Sequence, residues 1–302
     1  DLLSEEAGGI ATGIVGATSA DGVNFTINPV LSVEPLGTFD TSSVETCDVI
    51  IVGEGNERTF YMFYSGAQAE NSTDPEAAAK YKIALATSTD GVRFTPISAS
   101  ESPVGQEGVL FGNPEVSGAP DVFGNFITDP VAVYRDGTFH LWTLCIDQIP
   151  EPFGGICYHT SSDALQWTHH GVVSGLNRAF AIQPTVYFNP TLERFEMYVV
   201  MDTPEEEAQI HDLGTNLTLR VTGFYHAVSS DGRQWTEVDP SRPQFGEDLG
   251  RLWENRGLAT GADAELKDGV VYFFYPSFTT EGANYLGTLL NWPVNLAVRR
   301  AD

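Results

Sequence analysis

The sequence predicts an all-β protein, a five-bladed β-propeller of four-stranded antiparallel blades, in a single domain over residues 1–302. Three observations predict it. One strand–turn–strand phrase recurs: Ala17-Thr18-Ser19-Ala20-Asp21-Gly22-Val23-Asn24-Phe25 returns as Ala86 to Phe94, His159 to Trp167 and Ala227 to Trp235. The turn aspartates Asp21, Asp90, Asp163 and Asp231 stand 69, 73 and 68 residues apart, a period that fits one multi-strand repeat. The segments between them are short β-branched and aromatic runs bounded by turn residues. Radial repetition of four-stranded sheets is the propeller. A double-sheet sandwich is the rival, and it gives no reason for Asp-Gly at this period.

Each blade follows from local chemistry. In the recurrent phrase, Asp-Gly supplies the left-handed turn conformations of a tight hairpin. The aromatic residue three or four positions later packs the next strand. The first full module runs Thr46 to Ile51, Thr59 to Gly66, Lys82 to Ser88 and Arg93 to Ile97. The second opens with Asp129 to Tyr134, turns at Asp136-Gly137 and continues with Phe139 to Leu144. The third pairs Gln183 to Phe188 with Arg194 to Val200, and the fourth pairs Asp263 to Leu266 with Val270 to Tyr275 across Asp268-Gly269. An odd outer pair at Ile14 to Leu31 begins the first blade, which lacks its inner pair unless residues 1–12 or an upstream segment supply it. A decayed phrase, Tyr285 to Asn291, ends the last. Residues 74–80 and 204–213 read as surface loops.

The totals set limits. Among 302 residues, 41 acidic side chains face 15 basic ones, for a formal charge of −26. Nucleic acid is excluded as a partner, because Lys and Arg must neutralise its phosphates. The charge reads as a solvated surface. No apolar run approaches the roughly 20 residues of a membrane span. A chain that opens on Asp1 rather than Met is expected to have lost a targeting segment or to have been trimmed. The spacing of Cys47, Cys145 and Cys157 excludes a CxxC zinc site. Cys145 and Cys157 flank a stretch centred on Glu151; as a hairpin it sets them opposite each other, leaving a cross-strand disulfide or two reduced core thiols.

Superposing the modules shows what each presents where its inner strand begins. Asp129, in Thr128-Asp129-Pro130, falls on Thr46, on Gln183 in Ile182-Gln183-Pro184, and on Asp263. Carboxylates from different blades converging on one mouth are the minimum equipment for cleaving a glycosidic bond: one donates a proton, the other activates water or attacks. The turn aspartates are structural on this reading, and His140 and His226 are core residues with satisfied hydrogen bonds. Trp253 lies off the repeat, where a ring can stack on a sugar or pack a rim. Three Asn-X-Ser/Thr sequences, at Asn24, Asn71 and Asn216, carry meaning only on a eukaryotic secretory route.

With these residues in place, the chain resembles the five-bladed propeller glycoside hydrolases of the arabinanase, xylosidase and invertase superfamily. The resemblance rests on the Asp-Pro start of the inner strand, on Tyr61-Met62-Phe63-Tyr64-Ser65-Gly66, and on Ala-Thr-Ser-x-Asp-Gly-x-x-Phe. It implies an Asp base, a second Asp that tunes it and a Glu acid, each on the inner strand of a different blade. Asp129 carries over by position, and Asp263 with Ala264 in place of the usual Pro. Gln183 and Thr46 depart from the pattern, leaving Glu45 and Glu254 as candidates for the acid.

The expected catalytic residues are therefore Asp129, Asp263, Glu45 and Glu254. The expected substrate-binding residues are Gln183, Thr46, Trp253 and Arg256, with no residue assigned to a metal. The expected function is an inverting glycoside hydrolase acting on a plant or algal polysaccharide or its oligosaccharides. The alternative is a non-catalytic carbohydrate-binding propeller. No cofactor is required; a calcium ion on the propeller axis suits carboxylate and carbonyl ligands. A monomer, secreted or held at the cell surface or in a periplasm, is expected, with a carbohydrate as its partner.

Overall fold

The computed structural model describes residues 13–20, 24–31, 39–40, 43–67, 81–112, 126–146, 154–176, 181–202, 209–211, 218–220, 222–241, 243–244, 262–276 and 294–300. They form twenty strands, and among them the helical element is a single 3-10 turn at Gly55–Glu57. No helix among the described residues is long and apolar enough to cross a membrane. The chain falls into two compact units, residues 1–151 with 157–171, and 152–156 with 172–302.

In the first unit, β1 (Ile14–Thr18) pairs with β2 (Thr26–Leu31). A second sheet runs β3 (Ser43–Val52), β4 (Thr59–Ala67) and β5 (Lys82–Ser88). Two short strands, β6 (Thr95–Pro96) and β7 (Val109–Gly112), share the outer edge of β5. A third sheet runs β8 (Phe126–Arg135), β9 (Thr138–Ile146), β10 (Gly154–Ser161) and β11 (Thr168–Val172). Ile83, Leu85, Phe63, Leu141 and Phe111 join one buried cluster that links the second and third sheets. Cys145 and Cys157 close a disulfide between β9 and β10, with Cα atoms 5.9 Å apart. The hairpin reading placed them opposite each other, and of its two outcomes the disulfide is the one found.

The second unit has a sheet of β12 (Ala181–Asn189), β13 (Arg194–Asp202), β16 (Thr222–Ser229) and β17 (Thr236–Glu237). A separate ribbon joins β14 (Gln209–His211) to β15 (Thr218–Arg220), so the stretch 204–213 holds a strand where a loop was expected. The last sheet is β18 (Asp263–Lys267), β19 (Val270–Pro276) and β20 (Val294–Arg300). Tyr187, Tyr198, Phe224, Phe273 and Tyr275 fill the core between its two larger sheets. Two sheets are thus four-stranded as expected, while the others described hold two, three or five strands.

The recurrent turns are built alike. Ser88, Ser161 and Ser229 each donate their hydroxyl to the Asp two residues on, at 2.9, 2.9 and 3.0 Å. Each Asp Oδ1 then accepts two backbone N–H groups: Val92 and Arg93, Leu165 and Gln166, or Arg233 and Gln234. The next position takes a left-handed φ, 71° at Gly91 and 76° at Gly232. Ala164 takes 64° in the turn that lacks glycine. The indoles of Trp167 and Trp235 donate back to the carbonyls of Ala164 and Gly232, both at 3.0 Å. These aspartates are structural, as the repeat predicts. The first such turn, at Asp21, and the decayed one at 285–291 lie outside the described residues.

The two histidines expected in the core both carry a bond. His140 Nδ1 meets the Tyr158 hydroxyl at 2.6 Å, and buried His226 meets Glu196 through Nε2 at 2.6 Å. Glu196 also accepts from Asn189 and Arg194.

Candidate active site

Three inner strands begin with the same irregularity. The ladder skips between Glu45 and Asp48 on β3, between Thr128 and Val131 on β8, and between Ile182 and Thr185 on β12. Inside each skip one residue is left-handed: Thr46 at φ 46°, Asp129 at 51° and Gln183 at 48°. Such a conformation costs an L-residue about 1–2 kcal/mol, and more for a β-branched one such as Thr. A bulge re-aims a side chain away from the strand's alternation. Strain repeated at one position in three strands marks a place where the side chain matters more than the backbone does.

From the bulge each strand runs seven residues to its hairpin: Thr46 to Val52, Asp129 to Arg135, Gln183 to Asn189. The same count back from Lys267, the end of β18, reaches Gly261, which lies outside the described residues. Asp263 therefore registers with Asp48, Val131 and Thr185, not with Asp129, and the superposition made on the sequence is corrected by two residues. Backbone bonds agree with this register. Asp48 Oδ2 accepts the N–H of Ala132 at 2.6 Å, and Thr185 Oγ1 accepts that of Ala264 at 2.9 Å. Ala132 and Ala264 occupy the same position of their strands. The sequence alignment slipped because Asp-Pro and Asp-Ala look alike when the turn is not used to count back.

In the first unit the bulges of β3 and β8 meet over β4. Thr46 Oγ1 and Thr128 Oγ1 each stand 2.8 Å from Ser65 Oγ and 3.3 Å from each other. Ser65 Oγ also accepts the backbone N–H of Asp129 at 3.2 Å. This fully buried serine therefore ties the two bulges together. Burial pushes the Asp129 carboxyl up to about 7; the Glu45 charge adds to the rise, and hydrogen bonds from Thr46 and Thr128 oppose it. Glu45 stands opposite Ser65 in the ladder and accepts a hydrogen bond from the Tyr81 hydroxyl. The structure thus brings together Asp129, Glu45 and Thr46 from the predicted set. It adds Ser65, Thr128 and Tyr81, which the sequence reading did not single out. Ser65 could have been found: it follows the aromatic run of β4 at the point where the inner strands open.

In the second unit Gln183 holds the bulge of β12. Asp263 stands further along β18 with its side chain reaching solvent; the groups packed around it raise its carboxyl, against bonds from the Ala264 backbone and Thr185. Glu265, two residues on, on the same face and also exposed, is pushed up to about 6 by the same partial desolvation and by the Asp263 charge. Glu254, Trp253 and Arg256 lie outside the described residues. Among the described residues no group of three or more His, Cys, Asp or Glu side chains is placed to hold a metal ion.

Comparison with known proteins places the fold. No protein-family model matches the chain, and no curated relative matches its sequence. Solved structures do. An N-acetylgalactosamine deacetylase from F. plautii matches over 94% of this chain and 80% of its own, with a TM-score of 0.62 at 16% identity. A sucrose-6-phosphate hydrolase from Lactobacillus gasseri matches over 96% and 53%, with a TM-score of 0.63 at 12% identity. A β-fructofuranosidase from Bombyx mori matches over 95% and 53%, with a TM-score of 0.57 at 16% identity. The chain spans about half the length of the latter two. This chain shares its fold with these structures. At these identities the likeness carries the architecture and leaves the chemistry to the residues.

Proposed function

We propose that the chain is a glycoside hydrolase acting on a plant or algal polysaccharide or its oligosaccharides, on a five-bladed propeller, with Asp129 on the reaction path. The observation that carries this reading is Asp129 itself. It is a strained inner-strand carboxyl, partly open to solvent, that burial and the Glu45 charge push up to about 7. A general acid or base works best with its pKa near the operating pH. Cleavage needs a second carboxyl group, and Glu45 supplies one in the same unit. Asp129, its carboxyl raised, gives the proton to the leaving oxygen, the charged Glu45 takes the proton of the attacking water, and the anomeric configuration inverts. Substitutions at Asp263 and Glu254 test the other acids named from the sequence. A calcium ion on the propeller axis belongs to the same proposal, and a melting temperature raised by calcium and lowered by chelator would support it.

The test is a panel of chromogenic furanosides and pyranosides with native polysaccharides, plant and algal first. Wild type releases product, Asp129→Asn does not, and proton NMR shows the inverted anomer first. The second reading is a carbohydrate-binding propeller without turnover. It is favoured by Thr46 and Gln183, which leave two of three bulges with neutral side chains. Sugar binding with no product across the panel would select it and end the enzymatic reading.

A further inference from the structure

Tyr81 belongs to no repeat phrase and to no inner strand. It immediately precedes β5, the third strand of its sheet, and its half-buried ring reaches past β4 so that the hydroxyl bonds Glu45 on β3. Glu45 has no bulge to aim it; it is the last regular ladder residue before the skip. A glutamate side chain there has several rotamers open to it, and an unrestrained one turns its charge to water. The tyrosine hydroxyl removes that freedom. Glu45 faces Ser65 in the ladder, and Ser65 holds the Asp129 backbone. Tyr81, Glu45 and Asp129 thus form one connected row across β5, β3 and β8.

We propose that Tyr81 is a positioning residue of this site: its hydroxyl holds the Glu45 carboxylate beside the serine-tied bulge that carries Asp129. The inference rests on the reading of Asp129 and Glu45 as the working carboxyl pair. Other groups on the strands packed against β8 do not substitute for Glu45. Asp48 on β3 is committed to the Ala132 N–H at 2.6 Å. Lys82, which begins β5, donates to Gln106 at 2.8 Å, and His140 on β9 bonds Tyr158. Cys47 on β3 carries a thiol, and β4 brings no charged side chain. Among the described residues, the charge that acts on Asp129 is that of Glu45.

The experiment labels aspartate carboxyl carbons with carbon-13 and follows the Asp129 resonance with pH, identified by its disappearance in Asp129→Asn. No substrate is present. In Tyr81→Phe, Glu45 loses this bond and the Asp129 midpoint falls, by about one pH unit for a displaced neighbouring charge. In Glu45→Gln it falls at least as far. With both substitutions together, Tyr81→Phe adds nothing. An Asp129 midpoint unmoved in Tyr81→Phe overturns the inference. So does an equal shift from Tyr81→Phe in the Glu45→Gln background. Should Tyr81→Phe fail to fold, an unmoved midpoint in Glu45→Gln alone overturns it, because the link from Glu45 to Asp129 is then absent. Since the titration needs no turnover, a protein that cuts no glycoside would end the proposed function and leave this result readable.

Discussion

Asp129 and the turn aspartates are the same residue type at two kinds of repeated position, and their surroundings do opposite things to them. Asp90 sits in an outer turn, where backbone N–H groups of Arg93 and Val92 and the Ser88 hydroxyl hold its carboxyl down to about 2. Its Oδ1 accepts all three of these bonds, from groups within three residues of it. Asp129 sits on an inner-strand bulge, where burial and the Glu45 charge lift it to about 7. Its own backbone is anchored by Ser65, and among the described residues its carboxyl is bonded by the Thr46 and Thr128 side chains and by no backbone N–H. A carboxylate satisfied by its own turn contributes to the fold and is chemically quiet. One left in a poorly solvated place beside a like charge is a standing cost, which a protein keeps for function. Both positions use left-handed backbone, but the turns mostly give it to glycine and the bulges give it to Thr46, Asp129 and Gln183.

The largest effect that tests this contrast is catalytic. Asp129→Asn should lower turnover by about 10²–10⁴-fold, the usual worth of a general acid or base. Its effect on stability should run the other way. The folded pKa lies above the unfolded one, so wild type loses stability as pH rises from about 4 to about 7, while Asn has nothing to ionise. Melting curves should show the variant gaining on wild type across that window and holding a constant lead above it. A lead that stays flat from pH 4 to 7 would contradict the raised carboxyl.

A turn aspartate should behave the opposite way. Asp231→Ala removes the acceptor of the Ser229 hydroxyl and of two backbone N–H groups. Chemical denaturation should show a loss of about 1–2 kcal/mol, with turnover per folded molecule unchanged. A large fall in turnover at undiminished stability would place the turns in the chemistry and break the contrast. The smallest effect concerns Ala164, which holds φ 64° where the sister turns have glycine. Ala164→Gly relieves left-handed strain but adds unfolded-state entropy, so a gain of about 0.5 kcal/mol is expected. A loss would mean that this turn is shaped by something other than its backbone conformation.

Much of this was legible beforehand, for a physical reason. The turns are local: Ser, Asp, the left-handed residue and the aromatic act within nine positions, so they survive as a readable phrase. The hairpins at Asp136-Gly137 and Asp268-Gly269 were legible for the same reason. The bulges were half legible. The polar residue before each buried strand stood out, but the two-residue slip that misplaced Asp263 arose because a bulge has no residue signature of its own. It shows only in the ladder register. Ser65 was read only as the end of an aromatic phrase, and Tyr81 was not read at all. Their roles depend on which strands lie beside them, and Ser65 meets Thr128 across 63 positions of chain.

The contrast between the two aspartates can be measured in a single sample. Carbon-13 titration of the side-chain carboxyls in the unmodified protein should give Asp129 a midpoint near 7 and Asp90 one near 2. Asp129 titrating near 4, in the ordinary aspartate range, would contradict the account.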